Sequence, residues 1–466
     1  MCGVFGIKGV PKAAEMTFLG LHAMQHRAKE YAGIVTSDSQ GNLFRHSGQG
    51  IVQDVFDTER LNELFGADAI GHIRYSTTED NPRKDNTQPI MDGDVALCHN
   101  GNLTNVKTLI RRLRRKLGTK PLFRTSMDSE ILLRRYVAAQ AKDPLGKVLE
   151  MLKGVTGSYS LLLLTKNTMI AVRDPWGNRP LWVGQRNGGW LFASESVAFE
   201  NLGKVANARE LLPGEIMIVY PDNSTATAFW NGHELSDQPD ERHGRQQCAF
   251  ELLYFAHPAS TLFGINVAIF RKAIGRRLEQ VAPASAQQVL AVPDSAVYFG
   301  LGYASAPHHR YEIGIARSHY IGRSFIEGLQ ELRVNKAVRK FTVIRSLVQR
   351  AVTLIDDSIV RLTTLPRVIK LLRAAGVREI HVRIGTPPII APCRYGIDTP
   401  RKAELVAARK SPAQIGQQCQ VESLEFLPLP ELQKVIASFR QNPKDFCYAC
   451  MTGKYIIPVP DFRPQS

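Results

Sequence analysis

Three groups of residues in this chain of 466 have types and spacings that can do chemistry. The first is Cys2, directly after the initiator methionine. Methionine before a small residue is commonly trimmed, so the mature chain is expected to begin with this thiol beside its own α-amino group. An α-amine titrates near about 8 and a thiol near about 8.5, so the amine can act as a built-in base and no histidine partner is needed. The second group runs Asp356-Asp357-Ser358-Ile359-Val360-Arg361-Leu362-Thr363-Thr364. Two adjacent carboxylates follow an apolar run, and hydroxyls with free N–H groups follow them where a Pro-started helix begins. Carboxylates accept from sugar hydroxyls and a helix N-terminus takes an anion, so this stretch suits a sugar diol and a phosphate. The third is Cys447-Tyr-Ala-Cys450, a bare Cys-x-x-Cys that reads as a redox dithiol, half a zinc site or no site.

These groups need elements to hold them. Up to about residue 230 the chain reads as short β-rich runs cut by Gly, Asn and Asp, with helical patterns near 16–25 and 127–140. The densest apolar patch, 159–165, fits one buried strand. Residues 221–247 are polar and read as a connection. Beyond it, strands are expected at 287–292, 351–355 and 379–384, and helices at 296–304 and 366–375, the last closed by Gly376. Strands and helices alternating at that spacing predict a mostly parallel, doubly wound sheet.

Composition narrows the class. With 44% hydrophobic and 22% charged residues the chain is ordinary globular material, and no apolar run approaches the roughly 18 residues that cross a bilayer. No secretory pattern opens the sequence, so a cytoplasmic, membrane-free protein is the expectation. The net charge of +16 suits an anionic partner. The most basic stretch, Arg111-Arg112-Leu113-Arg114-Arg115-Lys116, sits with Leu109, Leu113 and Leu117 at i, i+4, i+8, which reads as the solvated face of an amphipathic helix. No recognition motif or aromatic-studded basic groove points to nucleic acid. Seven scattered cysteines, an odd number, fit a reducing compartment.

Four ordered stretches carry a resemblance: Met-Cys-Gly-Val-Phe-Gly-Ile, then Gln25-His26-Arg27 to Tyr31-Ala32-Gly33-Ile34, then Gly71-His72-Ile73-Arg74-Tyr75-Ser76-Thr77, then His99-Asn100-Gly101-Asn102-Leu103. Together they resemble the glutaminase half of the N-terminal-nucleophile amidotransferases. The resemblance implies a four-layer αββα domain over residues 2–235 that hydrolyses glutamine to glutamate and ammonia. It implies that Cys2 attacks the side-chain amide while the Asn100 side chain and the Gly101 N–H hold the oxyanion. Arg74 and Thr77 would receive the glutamine carboxylate end and Asp128 its ammonium. Taken singly, Arg74 reads as a surface ion pair, Asp128 as a helix cap and Asn100-Gly101 as a hairpin turn.

The strand-acid-acid-loop-helix order resembles the type I phosphoribosyltransferases, in the version carried by the glutamine phosphoribosylpyrophosphate amidotransferase family. Cys248-Ala-Phe-Glu-Leu-Leu-Tyr254, Val292-Pro293-Asp294-Ser295, Tyr320-Ile-Gly-Arg323-Ser-Phe-Ile326 and Cys393-Arg-Tyr-Gly-Ile-Asp-Thr-Pro400 extend it. It implies a second domain over 248–466 and the conversion of phosphoribosyl pyrophosphate and glutamine-derived ammonia to 5-phosphoribosylamine and pyrophosphate, the first step of purine synthesis. Asp356 and Asp357 would hold the ribose, Ser358, Thr363 and Thr364 the phosphate, and Arg323 the closing loop's contact. Ser295 with the two aspartates would meet magnesium, and Tyr75, Tyr254 and Ile326 would line an ammonia passage. By the same resemblance Cys248, Cys393, Cys447 and Cys450 would ligate a four-iron, four-sulfur cluster, purine nucleotides would inhibit, and the assembly would be a homotetramer. Cys98 and Cys419 read as buried small hydrophobes. The chain departs from the family pattern at Ala28, Ala296 and Leu362, where glycine is usual, and at Ala316-Arg317-Ser318-His319, where Arg317 stands in for a usual lysine. These departures define a competing expectation, a glutaminase whose transferase half has weakened into a nucleotide-binding regulatory module.

Overall fold

The computed structural model describes residues 2–75, 86–118, 123–166, 168–240, 244–318, 341–399 and 401–462. Thr77, Arg323 and Ile326 lie outside the described residues.

The apolar run at 159–165 is the strand Gly157–Thr165, buried along nearly its whole length because both its faces are covered. Leu161 and Leu163 meet the helices Asp128–Val137 and Pro144–Leu152 in one core, while Leu162 and Leu164 meet Val4, Ile70 and Phe192 of a second sheet in another. Alternation of side chains across a strand thus places one apolar sequence in two cores. The strand Gly3–Lys8 does the same from the other side: Val4 faces the inter-sheet core, and Phe5 and Ile7 meet the helix Ala13–Ala23. The result is a helix layer, two antiparallel sheets and a further helix layer. One sheet runs Ala206–Glu210, Trp182–Arg186, Gly189–Ala193, Gly3–Lys8, Asp68–Arg74, Tyr31–Ser37, Leu43–Gln49. The other runs Leu235–Ser236, Thr225–Trp230, Glu215–Val219, Met169–Arg173, Gly157–Thr165, Val95–Leu103, Ile90–Asp92.

One reading of the sequence is corrected here. The polar stretch 221–247 is not all connection, since Thr225–Trp230 is a full strand paired with Glu215–Val219. The Pro221-Asp-Asn-Ser224 cluster is the hairpin turn between them, with Asn223 at φ 63°. Turn residues mark a hairpin and a linker alike, and only the apolar Ala228, Phe229 and Trp230 distinguish the two.

The second half is built on five parallel strands in the order Arg310–Tyr311, Gln288–Ala291, Ala351–Asp356, Glu379–Ile384, Ser423–Phe426. Helix Val267–Val281 packs with both Val297–Tyr303 and Leu429–Ser438, and Leu365–Ala374 packs with Pro412–Cys419, supplying the two helix groups of a doubly wound fold. Val352, Leu354 and Ile355 are fully buried at its centre. The basic helix Val106–Leu117 keeps Leu109 and Leu113 in the core and Arg111, Arg112, Arg114 and Arg115 exposed, a solvated face as its spacing predicts.

Candidate active site

Cys2 stands one residue ahead of the strand Gly3–Lys8, at a cavity of about 340 Å³ that Arg74, Tyr75, Gly101 and Asp128 also line. Its Sγ is 4.0 Å from the Tyr75 carbonyl oxygen, and its own carbonyl accepts from Arg27 Nε at 2.8 Å. Asn100 and Gly101 are interior to the strand Val95–Leu103, opposite Ser160 and Tyr159, not in a turn. Asn100 is buried, with its Nδ2 3.5 Å from Ser194 Oγ. Gly101 has φ 152°, and a Cβ there would lie 2.1 Å from the Ser158 carbonyl oxygen, so no other residue fits.

Arg74 closes the strand Asp68–Arg74 and Asp128 opens the helix Asp128–Val137, so two elements deliver opposite charges to one cavity. The buried Arg74 guanidinium donates to the Asn86 carbonyl and lies 5.8 Å from the Tyr31 ring centroid. Asp128 accepts from the Leu103 N–H at 2.8 Å and lies 3.6 Å from His99 Nδ1. Burial disfavours its charge, yet His99 and the hydrogen bonds outweigh it and hold the carboxyl below the ordinary range. Burial likewise opposes the charged form of His99, and Asp128 overrides it, raising the imidazole. A fork-shaped cation and a carboxylate sharing a cavity beside a thiol can grip both ends of a free amino acid.

The second cavity, about 1280 Å³, opens where the strand Ala351–Asp356 ends. Asp356, Asp357, Ser358, Thr363 and Thr364 line it with Ser295, Tyr254 and Arg317. Ser295 and Ser358 hydroxyls both donate to the Asp357 carboxylate, whose pKa burial raises. Asp357, then burial and Asp356, push the Tyr254 phenol on the same cavity wall up to about 12. Arg317 pairs with Asp294 at 2.5 Å on the same wall. Thr364 precedes the helix Leu365–Ala374 with Pro366 in its first turn, leaving N–H groups directed at the loop. Of the three absent glycines, Ala28 is extended (φ −156°) and Ala296 helical (φ −90°), so neither needs glycine. Leu362 does: its φ is 58°, the left-handed region that costs a side chain roughly 1–2 kcal/mol.

The two cavities share Tyr75. Behind it lies a buried ionic network that sequence reasoning missed. Arg27, which holds the Cys2 carbonyl, pairs with Glu195 and, at 2.9 Å, with Glu251, and Arg179 reaches the same Glu251 at 3.3 Å. Glu251 opens the turn Glu251–Phe255 that carries Tyr254 and Phe255 to the large cavity. On its far side Arg271 donates to the Leu252 and Ala256 carbonyls at 2.9 Å each, and burial, opposed by Asp357, brings its pKa down to about 10. A set of polar contacts therefore runs from the turn that carries Tyr254 to the thiol's own backbone. Isolated Arg and Glu letters carry no signal of such a network, since only folding reveals that they are buried. Asp461 and Phe462 also line the smaller cavity from the far end of the described chain, and Asp461 accepts from the Lys107 N–H at 2.6 Å.

Comparison with known proteins agrees with this architecture. Residues 72–201 match a glutamine amidotransferase domain family. The chain is 41% identical to the chloroplastic amidophosphoribosyltransferase 3 of Arabidopsis thaliana over 98% of its own length and 84% of the relative's. It is 38% identical to the amidophosphoribosyltransferase of Bacillus subtilis over 97% and 94% of the two lengths. The solved structure of the glutamine phosphoribosylpyrophosphate amidotransferase of B. subtilis, complexed with ADP and GMP, covers 98% of each chain at a TM-score of 0.88 and 37% identity. The chain belongs to the amidophosphoribosyltransferase family. Membership fixes the pairing of the two halves: the family's glutamine amidotransferase and phosphoribosyltransferase units correspond to the αββα half and the parallel-sheet half.

The four cysteines assigned to a cluster gather where these halves meet. Cys248 and Cys447 are register partners in a short parallel pair of strands. Burial pushes the Cys248 thiol up to about 11 against the pull of Arg179, and Cys393 adds to the rise. Burial raises Cys450 too, with Cys393, Cys248 and Cys447 contributing in turn. Cys98 and Cys419 are both buried among hydrophobic side chains, small hydrophobes as expected.

Proposed function

We propose that the two cavities carry the two halves of one family reaction, glutamine-dependent synthesis of 5-phosphoribosylamine from phosphoribosyl pyrophosphate. Cys2 attacks the glutamine amide, its α-amine taking the thiol proton once Met1 is removed. Asn100 and Gly101 stabilise the oxyanion, and Arg74, Thr77 and Asp128 hold the amino-acid ends. Ammonia passes Tyr75 and Tyr254, shielded from water so that it stays an unprotonated nucleophile. Asp356 and Asp357 hold the ribose, and the loop through Thr364 holds the phosphate. Magnesium, a hard cation, fits the oxygen donors of Ser295, Asp356 and Asp357 and would neutralise the departing pyrophosphate. The observation that carries this reading is Tyr75, a wall of both cavities.

The cysteine group suits a four-iron, four-sulfur cluster better than zinc. A tetrahedral zinc with bonds of about 2.3 Å needs sulfurs within about 3.8 Å of one another. Among the described residues no three of these sulfurs converge within 4.8 Å, although all four interact. A cluster spans more than one ion, and four thiolates suffice for it. Bound there, it would tie together three segments of the second half, around Cys248, Cys393 and the Cys447–Cys450 pair. Iron content near four per chain supports it, and colourless protein with tightly held zinc opposes it. Purine nucleotides as inhibitors, a homotetramer and a cytoplasmic location complete the proposal. A B. subtilis relative solved with ADP and GMP supports the first, and no helix among the described residues is long and apolar enough to cross a membrane.

The test is pyrophosphate release with glutamine and then with an ammonium salt as nitrogen donor. Release with both sustains the reaction as stated. Glutamine hydrolysis without release from either donor favours the weakened-transferase alternative, for which the left-handed Leu362 is the specific argument.

A further inference from the structure

At the opposite end of the parallel sheet from the acidic pair, three donor atoms converge without any role in the reaction. They belong to Glu279, near the end of the helix Val267–Val281, and to His308 and His309, just before the edge strand Arg310–Tyr311. That edge strand pairs with Gln288 and Val289, the start of the neighbouring strand, whereas Asp356 lies at the finish of the strand beyond it. Glu279 Oε1 is 3.6 Å from His308 Nε2 and 4.0 Å from His309 Nε2, and all three donor atoms lie within 4.8 Å of one another. The two imidazole rings are tilted by 46° with centroids 4.0 Å apart.

His309 supplies a second, independent observation. Its side chain is fully buried and neither ring nitrogen has a hydrogen-bond partner of acceptable geometry. Buried polar atoms are ordinarily satisfied, so an imidazole with both nitrogens unused, aimed at a carboxylate and a second imidazole, lacks a partner.

The geometry points to a divalent metal site of the zinc class, with Glu279, His308 and His309 as its protein ligands and a water in the fourth position. Zinc with bonds of about 2.0–2.1 Å in a tetrahedron sets its ligand atoms about 3.3 Å apart. The carboxylate–imidazole separations of 3.6 and 4.0 Å need to close by about 0.3–0.7 Å and the remaining pair, within 4.8 Å, by at most about 1.5 Å, which side-chain rotation supplies. Two imidazoles and one carboxylate select a borderline transition ion over magnesium or calcium, which prefer all-oxygen shells. Placed away from both cavities, the ion clips the end of one helix to the edge of the sheet and does no chemistry on the substrates.

The experiment equilibrates the full-length protein with zinc, removes free ion by desalting and counts retained metal, for wild type, Glu279→Gln and His308→Ala. Ammonia-dependent pyrophosphate release equal to wild type shows that the variants are folded. Any zinc taken up by the cysteines is common to all three, so the difference isolates this site. Wild type is expected to retain one more equivalent than either variant, with affinity at the site falling more than about 100-fold on loss of a ligand. Its melting temperature should rise with zinc while those of the variants do not. Equal zinc retention in all three proteins would overturn the assignment.

Discussion

The two cavities are built by opposite means. The smaller cavity takes its groups from regular elements: Cys2 beside a central strand, Gly101 inside another with the buried Asn100 next to it, Arg74 at the end of a third and Asp128 on the first turn of a helix. The larger cavity draws its acidic and hydroxyl groups from loops at the carboxyl ends of parallel strands, 357–364 and the turn holding Asp294 and Ser295. Strand-borne groups are fixed by ladder hydrogen bonds and packing on both faces, so few substitutions are compatible with the site. Loop-borne groups tolerate drift. The one departure from the family pattern that carries backbone strain, Leu362, falls on the loop-built side.

Substitutions sharpen this contrast, beginning with the largest effects. Cys2→Ala should lower glutamine-driven pyrophosphate release at least about 10,000-fold and leave the ammonia-driven reaction near wild type. Loss of both rates would break the division of labour. Asp357→Asn should remove both by about 100-fold or more while glutamine hydrolysis persists, as shown by glutamate release. Asn100→Ala should cost about 100- to 1,000-fold in kcat for glutamine alone, the size of one oxyanion donor.

A smaller effect concerns pH. Asp128 is held below its unfolded value, so its stabilising contribution is present above about pH 4 and is lost as pH falls through the folded value. His99 is raised, so its contribution is full below about pH 6.5 and fades as pH rises through its folded value. The pair therefore stabilises most between about pH 4 and 6.5, and His99→Gln should flatten the pH dependence of the denaturation midpoint across the rise from 6.5. The smallest effect belongs to Leu362→Gly, which should relieve about 1 kcal/mol of backbone strain and lower the KM for phosphoribosyl pyrophosphate a few-fold without changing glutamine hydrolysis.

Much of this was legible in the sequence because the signals were local. The strand Glu379–Ile384 lies where its apolar pattern put it, and the acid pair ends its strand at the mouth of a cavity. Cys2, Arg74, Gly101 and Asp128 come together in one cavity as the ordered motifs implied. What escaped depended on long-range contact. His99 belongs to a quoted motif, yet its partnership with Asp128 spans two elements of the fold. Glu195, Glu251 and Arg271 acquire meaning only by burial, which a charged letter does not announce. The strand Thr225–Trp230 was hidden by its own turn residues.

Gly396 stands back to back with Gly101: a Cβ on it would sit 2.8 Å from the Gly101 carbonyl carbon, and the flanking Arg394 and Tyr395 carbonyls accept from Asn102 and Ser158 at 3.0 and 2.6 Å. Bare backbone meets bare backbone across the seam between the halves. Neither half can then be exchanged as a free module. A chimera that borrows its amidotransferase unit from a relative must bring a matching 393–399 segment, or the backbone at 101 will be displaced before any substrate arrives.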